Sequence, residues 1–323
     1  MKPDLVIVQP LHEAARGVLE RHEKDLKWKL ISENQIDDEI INAHFLIARA
    51  LTPLSKERIQ KAKNLKLIVI AGAGFDQVDL EACNERGIFL MNAQEANSTS
   101  AAELTLGLLL NLMRHLPAAN SATHLGQWAH DIEFRRRFMG AEIAGRTVGI
   151  VGLGRVGKRV ADRLKAFEAQ VIACDPYLTK KEAGATPLMS YDDLLSKVDI
   201  LSFHCPLNPE TKDYFSKASL SKLSKPIYLL NAARGAIVNE AAVLEGLELK
   251  KILGYGADVF SVEPLPDNHP FLKHLQIFLS PHLGAQTEEA QRNVSVMAVQ
   301  RVIDFLSSGR PKEILNTKKK KKT

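Results

Sequence analysis

Short apolar runs punctuate the chain, separated by stretches whose apolar residues recur at helical spacing. Residues 5–8, 44–48, 67–70 and 87–91 have the length and composition of strands, and 55–62 reads as a helix between two of them. This βαβα alternation predicts a parallel sheet. Residues 104–113 are apolar on nearly all faces, which predicts a buried helix crossing from a first domain to a second. Ser100-Ala101-Ala102-Glu103 has the spacing of a capping box and predicts that this helix starts there. Glu103, Asn111 and Arg114 interrupt it too soon for a membrane span. Further strand-like runs follow at 147–151, 171–174, 200–203, 227–230, 252–257 and 276–279. Residues 288–306 predict a long helix with Val294, Met297, Ala298, Val302 and Leu306 near one face, available to pack back on the first region.

One stretch, 146–175, combines these signals with chemistry. An apolar strand runs into Gly152-Leu153-Gly154-Arg155-Val156-Gly157, then a helix, a second strand and Asp175. A bare G-x-G-x-x-G is weak, but strand, turn, helix and acid in register predict a dinucleotide site. Gly152 permits a tight turn, Gly154 admits a pyrophosphate, and Gly157 lets the helix lie close on the sheet. The helix start offers unpaired N–H groups and a partial positive charge to phosphates. Asp175 suits ribose hydroxyls and would repel a 2′-phosphate, so NAD is favoured over NADP.

Composition narrows the class. At 323 residues the chain is long enough for about two domains and a large core. Three widely spaced cysteines without C-x-x-C suggest a reducing compartment and no zinc knot, and no metal site is expected. The first residues lack the apolar stretch of a signal peptide. The net charge of +5 matches the five lysines at 318–322, so the rest is formally balanced and the basic pI is poor evidence for nucleic acid. That lysine run is expected to be a solvated tail. The stretch 124–138, with Trp128, Arg135, Arg136 and Arg137, reads first as a solvated face and second as an anion contact.

In open parallel sheets ligands bind beyond the carboxyl ends of strands. His204, Arg234, Asp258 with Glu263, and His282 each follow a strand-like run. Oxidising an alcohol carbon to a carbonyl needs a hydride acceptor, a base for the hydroxyl proton and a cation for an anionic substrate. His282 suits the base, Arg234 the cation, and Glu263 a carboxylate that orients the imidazole and favours its charged form.

Seven ordered motifs, GAGFDQVDLEA, NSTSAAE, FMGAEIAGRTVGIVGLGRVG, SFHCPLNPET, NAARGAIV, ADVFSVEPLP and SPHLGAQTEEAQ, resemble those of the D-isomer-specific 2-hydroxyacid dehydrogenases. The resemblance runs from about residue 45 to residue 301. It implies an α/β subunit of two domains. A smaller, flavodoxin-like substrate domain would come from residues 1–98 and 286–316. A doubly wound NAD-binding Rossmann domain would span 99–285, with a basic tail at 317–323. It implies Arg234, Glu263 and His282 as the catalytic set. NAD contacts would come from Ala73, Gly152, Gly154, Arg155, Val156, Gly157, Asp175, His204, Cys205, Pro206, Thr211, Ala232, Ala233, Arg234, Asp258, His282, Gly284 and Ala285. Arg49, Ala71, Gly72, Ala73 and Asn97 would line the substrate side with Arg234 and His282.

The expected reaction is NAD-dependent oxidation of D-3-phosphoglycerate to 3-phosphohydroxypyruvate, the entry to serine synthesis. The expected setting is a cytoplasmic homodimer or homotetramer without nucleic-acid or membrane partners. Reduction of hydroxypyruvate or glyoxylate, or a D-lactate-type reaction, is the alternative. An NAD(H)-sensing scaffold like the family's corepressors would keep the same three residues. Ile70 departs from the pattern: members of the animal type that act on the phosphorylated substrate carry arginine there, so one phosphate contact would be missing. The chain ends soon after the last motif, which implies a short form without the regulatory ACT domain of longer members.

Overall fold

The computed structural model describes residues 4–130 and 132–316, so the lysine run lies outside the described residues. The chain divides into two compact units, Met1–Ser98 with Ala285–Thr323, and Thr99–Gly284.

In the first unit β1 (Asp4–Val8), β2 (Lys27–Ile31), β3 (Phe45–Arg49), β4 (Leu67–Ala71) and β5 (Phe89–Asn92) form one parallel sheet. Their order, β2-β1-β3-β4-β5, is the flavodoxin-like one. β4 reads LIVIA and is buried throughout, as a strand covered on both faces must be. β2 lies outside the apolar runs of the sequence. Its KWKLI is largely exposed at the sheet edge, where lysines discourage pairing with another chain. The helix Glu288–Ser308 packs on β3, β4 and the helix Glu13–Glu20. It buries Val294, Ala298, Val302, Ile303 and Phe305. Met297 and Leu306, expected on its inner face, are only partly buried, while Phe305 packs edge-on to Phe45 at 5.8 Å. Along β5, Leu315 N–H donates to Leu90 O at 2.9 Å and Leu90 N–H donates to Asn316 Oδ1 at 3.0 Å. Asn316 Nδ2 returns a bond to Ile88 O at 2.8 Å, so a side-chain amide completes the ladder.

In the second unit β6 (Thr147–Val151), β7 (Gln170–Cys174), β8 (Ile200–Phe203), β9 (Ile227–Asn231), β10 (Ile252–Ala257) and β11 (Ile277–Leu279) are all parallel. The order is β7-β6-β8-β9-β10-β11, and a parallel bridge from Ala173 to Leu188 extends it past β7. Strand order reverses between β6 and β8, where doubly wound sheets open a crevice at their carboxyl ends.

The helix expected to start with a capping box at Ser100 runs instead over Ser98–Arg114. Ser98 N–H already bonds Glu95 O and its hydroxyl bonds Gln94 O, so the upstream turn nucleates the helix earlier. Ser100 Oγ is left buried without a hydrogen-bond partner, and Glu103 faces Arg163 at 3.1 Å. Leu108, Leu109, Leu112 and Met113 of this helix pack with Val148 and Ile150 of β6. Beyond the helix Leu116–His124, Gln127–His130 and Ile132–Phe138 form 3-10 turns. Arg136 pairs with Glu133 there at 2.6 Å, and Arg137 lies over the Phe134 ring. These contacts suit a solvated face. Among the described residues no helix is long and apolar enough to cross a membrane.

Candidate active site

The glycine turn after β6 behaves as the residue types require. Gly152 has φ +89°, and a Cβ on it would fall 2.6 Å from Cys205 N in the loop after β8. On Gly157 a Cβ would fall 2.1 Å from Gly152 O, so the helix Arg155–Ala166 can seat against the turn only with glycine there. Gly154 is different: a Cβ there would meet nothing within 4 Å. It caps that helix without a side-chain hydrogen bond, beside open space. Asp175, just past β7, accepts N–H bonds from Leu153 at 2.9 Å and Tyr177 at 3.0 Å. A carboxylate has further lone pairs for ribose hydroxyls. These residues fit a dinucleotide.

The loop after β8 carries His204, Cys205, Pro206 and Thr211. His204 N–H donates to Val151 O at 2.7 Å, which ties the loop to the end of β6. Its ring meets Ser202 Oγ at 2.8 Å, Nδ1 is buried without a partner, and burial pushes the imidazole down to about 4. His204 is therefore neutral at ordinary pH. Thr211 Oγ1 donates to Pro206 O at 2.6 Å and closes the loop. Burial pushes the Cys205 thiol up to about 12, so it is not a nucleophile.

Three strand ends bring together His282, Glu263 and Arg234. His282, past β11, has its Nδ1 at 2.6 Å from Glu263 Oε2. Glu263, past β10, uses its other oxygen to accept Phe260 N–H at 3.0 Å. The Glu263 hydrogen bond holds the His282 imidazole above its ordinary value against burial. Burial works to raise Glu263, yet the bonds from His282 and Phe260 and the charges of His282 and Arg234 hold it below the usual carboxylate range. Arg234, past β9, is electrostatically felt by both partners. The arrangement presents an imidazole with its remaining nitrogen available, an oriented carboxylate and a guanidinium.

The loops are held by Asn231 and Ser280, which the sequence did not single out, and by Asp258, which it did. Asn231, fully buried, donates from Nδ2 to Arg234 O at 2.9 Å and accepts Ala233 N–H at 3.1 Å, so it shapes the turn through Ala232, Ala233 and Arg234. Asp258, expected as a cofactor contact, is 1% exposed; it accepts Ser280 Oγ–H at 2.6 Å, Leu283 N–H at 2.7 Å and Gly284 N–H at 2.9 Å. Burial raises its carboxyl despite these bonds. Asp258 thus braces the loop that carries His282, whose φ of 56° lies in the left-handed region. An asparagine ending an apolar run just before Arg234 was a readable signal for the first brace. Ser280 offered none.

The remaining expected residues belong to the first unit. Arg49, at the end of β3, donates to Gln291 Oε1 at 3.1 Å and Pro10 O at 3.0 Å, and burial lowers its pKa. Ala71 ends β4, Gly72 and Ala73 follow it, and Ala73 O accepts Asn92 Nδ2–H at 2.6 Å. Asn97 is half-buried just before the helix Ser98–Arg114, and Ala285 O accepts Gln291 Nε2–H at 2.8 Å.

Comparison with known proteins gives a consistent result. A family model described as "D-isomer specific 2-hydroxyacid dehydrogenase, NAD binding domain" matches residues 106–284. The chain is 35% identical over 315 residues to D-3-phosphoglycerate dehydrogenase of Methanocaldococcus jannaschii, covering 97% of this chain and 59% of that one. It is 37% identical over 281 residues to the Bacillus subtilis protein of the same name, covering 86% and 52%. The chain thus spans little more than half the length of these curated relatives. Among solved structures, an NAD-dependent formate dehydrogenase from Staphylococcus aureus in complex with NAD aligns with TM-score 0.83 at 29% identity, over 97% of this chain and 98% of that one.

Proposed function

Because the chain belongs to the D-isomer-specific 2-hydroxyacid dehydrogenase family, we propose that it exchanges hydride between NAD and a D-2-hydroxy acid, with D-3-phosphoglycerate as substrate. The observation that carries the reading is the His282–Glu263 bond of 2.6 Å within the electrostatic reach of Arg234. Bound NAD supplies the hydride acceptor. His282 takes the hydroxyl proton as the carbon–oxygen double bond forms and returns it in the reverse direction. Glu263 stabilises the resulting imidazolium, and Arg234 holds the substrate carboxylate. The glycine turn and Asp175 hold the dinucleotide, together with Arg155, Val156, His204, Cys205, Pro206, Thr211, Ala232, Ala233, Gly284, Ala285 and Ala73. Arg49, Ala71, Gly72, Ala73 and Asn97 serve the substrate side, in a substrate domain corresponding to the first unit. The working form is a cytoplasmic homodimer or homotetramer.

The phosphorylated substrate is supported by the names of the curated relatives. Ile70, buried in β4, favours a second reading in which a smaller, unphosphorylated acid such as glyoxylate is turned over. Steady-state turnover of 3-phosphoglycerate with NAD, coupled to remove product, separates them. Activity on it supports the first reading. Turnover of glyoxylate with NADH and none of 3-phosphoglycerate supports the second, and turnover of neither removes both.

A further inference from the structure

The segment bearing Glu263 leaves β10 at Asp258 and runs to the turn Pro270–Lys273 ahead of β11. One carboxylate grips it on both sides of Glu263. Glu240 Oε1 accepts Ser261 N–H at 2.9 Å, and Glu240 Oε2 meets His269 Nε2 at 3.2 Å. His269 Nδ1 accepts Phe271 N–H at 3.3 Å, so that nitrogen carries no proton and Nε2–H is the one that donates to Glu240. Both side chains are mostly shielded, at 22% and 15% exposure. Glu240 opens the helix Glu240–Glu248, which follows the Arg234 turn.

The same peptide is gripped from its other face. A Cβ on Gly235, the residue after Arg234, would fall 1.9 Å from Phe260 C and 2.0 Å from Phe260 O. The Phe260–Ser261 peptide is therefore wedged between the Arg234 turn at its carbonyl and Glu240 at its N–H. Phe260 also supplies the N–H that anchors Glu263 Oε1 at 3.0 Å. That N–H lies in the preceding peptide, so it is a displacement of the Phe260 backbone, shared by both peptides, that would carry the Glu263 anchor with it.

We propose that Glu240 and His269 are a positioning pair, which sets Glu263 against His282 by clamping both flanks of the Glu263 segment to the helix behind Arg234. Glu240 touches neither His282 nor the reacting atoms; it acts through Ser261 and His269. The kinetic part of this inference rests on His282 being the acid–base group of the proposed reaction.

The test follows the His282 imidazole by NMR titration, which needs no turnover, alongside the pH profile of kcat. The groups that set this imidazole are Glu263 and Asp258, which raise it, and Arg234, which lowers it. Loosening Glu263 must move the titration midpoint down. Glu240→Ala is expected to shift it down and to lower kcat on the order of 10-fold, with the 2-hydroxy acid KM nearly unchanged. Glu240→Gln, which keeps an acceptor for Ser261, is expected to shift it less. His269→Gln, which keeps a donor within reach of Glu240, is expected to sit closer to wild type than His269→Ala. A midpoint unchanged in folded Glu240→Ala and His269→Ala overturns the inference. A wild-type protein that turns over no 2-hydroxy acid would instead remove the functional reading, and the titration would still decide the clamp.

Discussion

The two parallel sheets follow the same construction rules, yet their strand ends carry different loads. At the carboxyl ends of the second sheet stand a glycine turn, Asp175, His204, Arg234, Asp258 and His282. The imidazole there is pushed above its ordinary value and its carboxylate partner below. At the ends of the first sheet, Arg49 and Asn92 turn onto nearby backbone, on Pro10 O and Ala73 O. A parallel sheet thus supplies positions, and the residues placed there supply chemistry. The first sheet's end residues mainly hold their own loops; the second's hold an ion pair in working geometry.

The sharpest way to break this contrast is to remove the proposed acid–base group. His282→Gln should lower kcat by roughly 10²- to 10⁴-fold with NADH affinity retained, measured by steady-state kinetics and fluorescence titration. In the proposed reaction, 2-hydroxy acid oxidation needs a neutral His282. Its rate should rise as pH climbs through the raised imidazole value, and Glu263→Gln should move that limb to lower pH. Arg234→Ala should cost roughly 10- to 100-fold in kcat/KM, the range of a charged hydrogen bond. Equal kinetics in either variant and wild type would erase the distinction between the sheets.

Structural changes should separate the units in the opposite sense. Gly157→Ala forces a methyl into Gly152 O and should destabilise by about 1–3 kcal/mol while weakening NADH binding. Asn316→Ala removes three side-chain bonds in the first unit, with Leu90 N–H, Ile88 O and Asn84 Oδ1, and should cost about 1–3 kcal/mol in urea unfolding with kcat unchanged. The smallest effect tests the arginine run. Replacing Arg135 and Arg136 by alanine should leave the 3-phosphoglycerate KM within about 2-fold, since exposed ion pairs contribute little. A large rise would make that turn a phosphate contact.

Much of this architecture was readable because apolar periodicity is dense where strands are covered on both faces. β4 and β6 announce themselves as unbroken apolar runs, and the Gly152–Gly157 turn carries its own register. β2 did not, because an exposed edge strand keeps lysines and loses the apolar signature. The Ser100 capping box misled because cap spacing is local, whereas the upstream turn at Glu95 decides where the helix nucleates. Arg234, Glu263 and His282 could be nominated as residue types at strand ends. Of their braces, Asn231 left a readable signal and Asp258 was nominated for another role, but Ser280 and Gly235 could not be, since they matter only through contacts made to residues far away in sequence.

Asp175 has a consequence for cofactor redesign. Its Oδ2 is also the anchor for Leu153 N–H inside the glycine turn. Swapping it for a small neutral residue to admit a 2′-phosphate would relieve charge repulsion and, in the same stroke, unfasten the loop that cradles the pyrophosphate. A change of coenzyme preference at this position is therefore expected to work best as two substitutions, one to welcome the extra phosphate and one to re-pin the turn.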